Sequence, residues 1–147
     1  MPFAKSAFTG SVARLFPGRW NLAGIPMVYA SGSVALATLE MLVHLNSDDD
    51  LTGYRLFRVE LPARAVEIPS SKKLPAGWDD EPIPEISRKF GTRWFLGQRS
   101  LALRVPSAVV PHDFNYFLNP THPDFSQIKI GRAEKFPFDP RLWPPQC

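Results

Sequence analysis

The stretch PGRWNLAGIPMVYASGSVALATLEMLVHLN, residues 17–46, decides the fold, because it joins a strand to a helix across a Ser-Gly-Ser turn. IPMVYAS, residues 25–31, is a short run of apolar and β-branched residues, the pattern of a buried strand, with Tyr29 as its polar-tipped member. Ser33 is a good N-cap, and VALATLEMLVHLN after it is rich in Ala and Leu and free of Gly and Pro, which predicts a helix. At about 100° per residue, Leu36, Leu39 and Val43 share one helix face, with Glu40 on its border. A carboxylate there can look into a cleft while the core holds its helix. Periodicity alone reads it as an exposed glutamate paired with His44 one turn later. Upstream, Arg19 stands between Gly18 and Gly24: the glycines permit close backbone approach, and the guanidinium offers a planar fork of donors suited to carboxylate or phosphate.

Outward from this unit, the pattern is mostly strands and loops. FAKSAF near the start reads as a short strand, followed by a loop holding Gly10, Pro17 and Gly18. SDDDLTG is a solvated turn without the alternating ligand spacing of a calcium loop. YRLFRVELP alternates, with Phe57, Val59 and Leu61 on one face, as a half-buried strand does, and residues 65–68 continue it beyond Pro62. A long loop spans Pro69 to Pro84. EISRKFGTRWFLGQ is a short helix with Ile86, Phe90 and Trp94 every fourth residue, interrupted by Gly91. SLALRVPSAVVP is a strand that ends at Pro106 or resumes just past it with Val109 and Val110, NYFLNPTHPDF a turn-rich stretch, IKI a brief strand, and EKFPFDPRL a final edge strand. Strands outnumber helices without regular alternation, so the expected class is α+β, with a mostly antiparallel sheet as core and short flanking helices.

Composition narrows the function classes. The 147 residues suit a single domain, 1–147, and 44% hydrophobic against 21% charged residues gives enough apolar surface to offset the entropy of ordering the chain. The 16 prolines cluster between Pro62 and Pro84 and from Pro106 onward, which predicts turns there. The formal charge is +3, with no run of Lys or Arg able to track a phosphate backbone, so direct nucleic-acid binding ranks last. The one cysteine, Cys147, forms neither an internal disulfide nor a thiolate cage, which fits a reducing cytoplasm. Nothing approaches the roughly 18 continuous apolar residues of a membrane span, and the N-terminus does not read as a secretion signal. No G-x-S-x-G, H-E-x-x-H, G-x-G-x-x-G or Walker motif is present, and His44, His112 and His122 are scattered, so no metal site is expected. The remaining polar set is Arg19, Tyr29, Glu40 and Ser107. The residues alone support a cleft and leave open that each is structural.

GRWNLAGIPMVYAS, ALATLEMLVHL, LRVPSAVVPHDFNYFLNPTHPDF and FPFDPRL, in that order from about Phe8 to Leu142, resemble the successive blocks of the RES domain family, named for an arginine, a glutamate and a serine. The resemblance implies the toxin half of an Xre-RES toxin-antitoxin pair, with a fold similar to the diphtheria-toxin class of ADP-ribosyltransferases, consuming NAD. It places the family arginine on Arg19, the cleft tyrosine on Tyr29, the glutamate on Glu40 and the serine on Ser107, with Asn21 and Asn115 as supports. The chain starts close to the first block, without the longer lead of many relatives. The implied reaction breaks the nicotinamide–ribose bond of NAD by hydrolysis or phosphorolysis. The alternatives are mono-ADP-ribosylation of a cellular protein and a catalytically silent nucleotide-binding module. The resemblance further implies an Xre-family DNA-binding antitoxin covering the cleft and a homodimer within that complex.

Overall fold

The computed structural model describes residues 6–46 and 51–142. Its elements are α1 (Ser11–Leu15), β1 (Val28–Ser31), α2 (Val34–Leu42), β2 (Arg55–Leu56), β3 (Val59–Glu60), β4 (Val66–Glu67), α3 (Glu85–Gly97), β5 (Ala102–Pro106), β6 (Phe114–Leu118), β7 (Lys129–Ile130) and β8 (Glu134–Lys135), joined by short 3₁₀ turns. A four-stranded mixed sheet runs in the order β1-β6-β5-β4, with only β4 parallel to its neighbour. The class is α+β, as expected.

Strand alternation assigns each face of this sheet a core. Leu103, Val105 and Phe117 pack with Trp20, Met27, Trp94 and Phe95 on the side of α3, whereas Val28, Ala102 and Leu118 pack with Leu101 and Ile128 on the other. Val59 and Leu61 join the second core from the segment read as one alternating strand. That segment forms two short pieces. β2 pairs with β8 and β3 with β7, both antiparallel, and Gly131 N–H bonds the Arg58 carbonyl between them. The register shifts by one residue across this point, as a bulge requires.

Residues 66–67 do not continue the strand before Pro62 but form β4, parallel to β5 in the main sheet, and further expectations need correction. Ser6 and Ala7 are helical where FAKSAF read as a strand, and its first residues lie outside the described ones. The loop after it contains α1, entered through Gly10 at φ +69°, where a Cβ would stand 2.4 Å from the Pro26 carbonyl carbon. Of the α2 stripe only Leu36 is buried, while Leu39 and Val43 are exposed, because α2 packs chiefly against the edge strand β1. NYFL, the start of the stretch read as turn-rich, belongs to the inner strand β6, bonded to β1 and β5 on its two sides. The aspartates 48–50 lie outside the described residues. The α3 helix forms as expected, but it buries Ser87, Gly91, Thr92, Trp94 and Phe95 and leaves Ile86 exposed. Gly91 is no interruption: a Cβ there would stand 1.9 Å from the Trp20 carbonyl oxygen, so its absence lets the 17–21 segment lie against the helix.

Candidate active site

Glu40 is positioned from both ends of its helix and sheet. Ser33 Oγ accepts from Leu36 N at 3.1 Å, fixing the start of α2, and Gly32 N–H bonds the Phe114 carbonyl, fixing the β1–α2 turn against β6. From this mount the Glu40 side chain reaches Ser107 just beyond β5 and Asn115 in β6. Ser107 Oγ donates to Glu40 Oε1 at 2.7 Å and Asn115 Nδ2 donates to the same oxygen at 2.5 Å. Among the described residues, Glu40 Oε2 has no hydrogen-bond partner, and it is not sealed from solvent. One oxygen is anchored and the other is open.

The donors are themselves fixed. Ser107 is 6% exposed, and its hydroxyl accepts from Val109 N and Val110 N at 3.0 Å each while donating to Glu40, which exhausts its capacity. Asn115 Oδ1 accepts from Ser31 Oγ at 2.8 Å, and these two residues are register partners across β1 and β6. The arrangement of Ser31, Asn115, Ser107 and Glu40 is therefore a chain of hydrogen bonds that ends on a carboxylate held in one place.

Tyr29 lies two residues before Ser31, on the same face of β1. Its hydroxyl donates to Asn21 Oδ1 at 2.5 Å and accepts from Trp20 N at 3.3 Å. Enclosure of that hydroxyl raises its pKa well above the ordinary tyrosine value, opposed in part by the Trp20 N–H and by the positive charge of Arg88. The residue as a whole is 42% exposed, so the buried hydroxyl and the accessible ring are separate parts of one side chain. The ring rests on Phe117 with centroids 4.7 Å apart. Gly18 makes this possible, since a Cβ there would lie 2.7 Å from the tyrosine oxygen. The glycine in PGRWN thus admits Tyr29. Asn21 is fully buried, taking Gly18 N–H and the tyrosine hydroxyl on Oδ1 and giving Nδ2 to the carbonyls of Ala13 and Leu22.

Arg19 turns toward the 78–81 segment. Its Nη1 donates to the carbonyls of Trp78 and Asp80 at 2.8 and 2.9 Å, and Nη2 pairs with Glu81. Trp78 stacks on Trp20 at 5.4 Å, so this clasp extends the aromatic layer beneath the 17–21 turn. Ser107 bonds Glu40 and makes no hydrogen bond to Arg19.

The structure therefore gathers Glu40, Ser107 and Asn115 into one network and Tyr29 and Asn21 into another, joined through the Tyr29–Ser31 face of β1, with Arg19 and its clasp beside the second. Sequence reasoning missed Ser31, Glu81 and Arg88. Ser31 had a usable signal, being two residues from Tyr29 on a strand. The other two depend on tertiary approach. A hollow of about 560 Å³ bordered by Tyr54, Arg55, Lys135 and Phe138 shares no residue with these networks. Among the described residues, no group of three or more His, Cys, Asp or Glu could hold a metal, and no helix is long and apolar enough to cross a membrane.

Comparison with known proteins identifies relatives along most of the chain. The family described as RES domain matches residues 2–139. A protein of Sphingobium sp. named "Prs ADP-ribosylating toxin" is 41% identical over 137 residues, covering 91% of this chain and 85% of that one. Proteins named "Toxin Res" from Photorhabdus laumondii and Pseudomonas putida are 38% and 44% identical, covering 95% and 86% of this chain and 90% and 86% of theirs. A match that runs through nearly all described elements, and through both networks, settles descent: the chain belongs to the RES domain family.

Proposed function

We propose that this chain is a bacterial toxin that cleaves the bond between nicotinamide and ribose in NAD. The observation that carries the reading is the Glu40 carboxylate, with Oε1 held by two donors and Oε2 open. In this reaction the C1′–N bond breaks, its electron pair returns to the nicotinamide ring and neutralises the pyridinium, and positive charge develops on the ribose. No proton need be supplied to the leaving group. A preorganised carboxylate beside C1′ stabilises that charge more in the transition state than in the ground state, and Oε2 is available to accept from a ribose hydroxyl.

The neighbouring residues fit the rest of the substrate. The Tyr29 ring offers an exposed face for the nicotinamide, while its hydroxyl is committed to Asn21 and Trp20 and takes no part in proton transfer. Asn21 serves by holding Tyr29, and Ser107 and Asn115 by holding Glu40. Arg19 binds the pyrophosphate if the anion takes the place of Glu81, whose side chain is 70% exposed and easily displaced.

The acceptor separates two readings. Water yields ADP-ribose and phosphate yields ADP-ribose 1″-phosphate, both of which deplete NAD. Transfer to a protein side chain is favoured by the name of the Sphingobium relative, "Prs ADP-ribosylating toxin". A neutralising antitoxin of the Xre DNA-binding family, seated over the cleft, a homodimer within that complex, and action in the cytoplasm complete the proposal; the relatives named "Toxin Res" support the toxin role. Purified protein incubated with NAD, with and without phosphate and with a cell extract, is followed by chromatography of nicotinamide and the ADP-ribose products. Release of nicotinamide supports the reading, and the product identifies the acceptor. No release under any of these conditions, from folded protein, refutes NAD cleavage.

A further inference from the structure

Two guanidinium groups converge on the 17–21 turn, and they differ in what they hold. Arg19 has spent both Nη1 hydrogens on carbonyls and faces Glu81 with Nη2. Arg88, in the first turns of α3, donates Nε–H to the Gly18 carbonyl at 3.0 Å and is otherwise uncommitted. Its Nη groups carry no hydrogen bond among the described residues and are not sealed from solvent. No carboxylate among the described residues lies within ion-pair distance of it, although the adjacent Lys89 pairs with Glu85.

We infer that Arg88 is a further substrate-binding residue, whose free Nη edge takes the pyrophosphate of NAD; this rests on the NAD reading above. A half-buried guanidinium with no acid within ion-pair distance keeps its solvent-facing Nη donors available to an incoming anion. The Nε bond to Gly18 fixes the plane of the fork, which suits bidentate capture of phosphate oxygens. The same Gly18 is in contact with the Tyr29 hydroxyl, so the anion subsite adjoins the ring assigned to nicotinamide. The Arg88 charge lies near enough to that hydroxyl to oppose, in small part, the rise in its pKa that burial causes. Arg88 needs no internal carboxylate displaced, whereas Arg19 does. Arg104, whose buried Nε has no hydrogen-bond partner among the described residues, lies over the Phe114 ring at 4.3 Å, on the opposite face of the sheet from Tyr29 and Asn115, and belongs to no such site.

The test compares wild type, Arg88→Gln and Arg88→Lys by titration with ADP-ribose, nicotinamide release from NAD and from nicotinamide riboside, and thermal melting. Loss of a charged bidentate contact predicts ADP-ribose affinity and KM for NAD about 10-fold or more weaker in Arg88→Gln, with kcat changed less than about threefold. Cleavage of nicotinamide riboside, which has no phosphate, stays within about twofold of wild type, and Arg88→Lys recovers part of the affinity. Unchanged KM and ADP-ribose affinity in Arg88→Gln, with wild type cleaving NAD, overturns the assignment and leaves the NAD reading intact. Loss of ADP-ribose binding in the variant, with no nicotinamide released by wild type, upholds Arg88 and overturns NAD cleavage. Wild type that neither binds nor cleaves overturns both. If Arg88→Gln does not fold, unchanged affinity in Arg88→Lys overturns the assignment.

Discussion

Replacing Ser107 with alanine removes one hydroxyl that makes three hydrogen bonds at a site only 6% exposed. The bond to the Glu40 carboxylate is charge-assisted and contributes roughly 1.5–3 kcal/mol. The amides of Val109 and Val110 also lose their acceptor, but both residues are half-buried and water replaces part of it, at about 0.5 kcal/mol each. Ser107→Ala should therefore lower stability by about 2.5–4 kcal/mol in urea unfolding. Asn115 then holds Oε1 alone, and the carboxylate gains freedom to swing. A displacement on the order of 1 Å costs up to about 100-fold in rate, so kcat for nicotinamide release should fall about 10- to 100-fold with KM changed less than about threefold. A double-mutant cycle with Glu40→Ala, which removes the acceptor, isolates the pair and should show a coupling of about 1 kcal/mol or more in stability. Additive effects, or a Ser107→Ala protein with wild-type rate, would refute the claim that Ser107 acts through Glu40.

Two further outcomes are expected. Gly91→Ala drives a Cβ to within 1.9 Å of the Trp20 carbonyl oxygen, a backbone atom with little room to yield, so it should destabilise by about 3 kcal/mol or more in the same unfolding assay, well above the cost of a surface substitution. The raised pKa of Tyr29 has a defined sign: the folded protein keeps this proton where the unfolded chain releases it, so stability is complete below about pH 10 and is lost as pH rises beyond it. Spectrophotometric titration at alkaline pH should show one of the three tyrosines ionising late, and Tyr29→Phe should remove that late step and make the alkaline loss of stability shallower.

What was legible in the sequence was local. Ser33 and the Ala- and Leu-rich run behind it carry their own start signal, and IPMVYAS its own apolar run, so the β1–α2 unit that mounts Tyr29 and Glu40 could be read directly. β6 could not. Its residues, FNYFL, follow His-Asp and precede Asn-Pro, a turn-like setting, and only pairing on both sides with β1 and β5 makes them a central strand. The bulge between β2 and β3 is likewise a property of two distant segments. Gly91 and Gly18 read as breaks or as room for a ligand, while their function in the structure is to admit the Trp20 carbonyl and the Tyr29 hydroxyl. The resemblance to a known family brought Arg19, Tyr29, Glu40 and Ser107 forward by residue type. The bonding that ties Ser107 to Glu40, and Arg19 to the 78–81 segment, came from the structure alone.

The central claim is that a fixed Glu40 carboxylate carries NAD cleavage. Glu40→Gln keeps an oxygen able to accept from Ser107 and Asn115 and removes only the charge. Nicotinamide release measured by chromatography at saturating NAD should fall about 100- to 1000-fold, with an unchanged melting profile and KM within about threefold. A folded Glu40→Gln protein that releases nicotinamide at the wild-type rate would contradict the account.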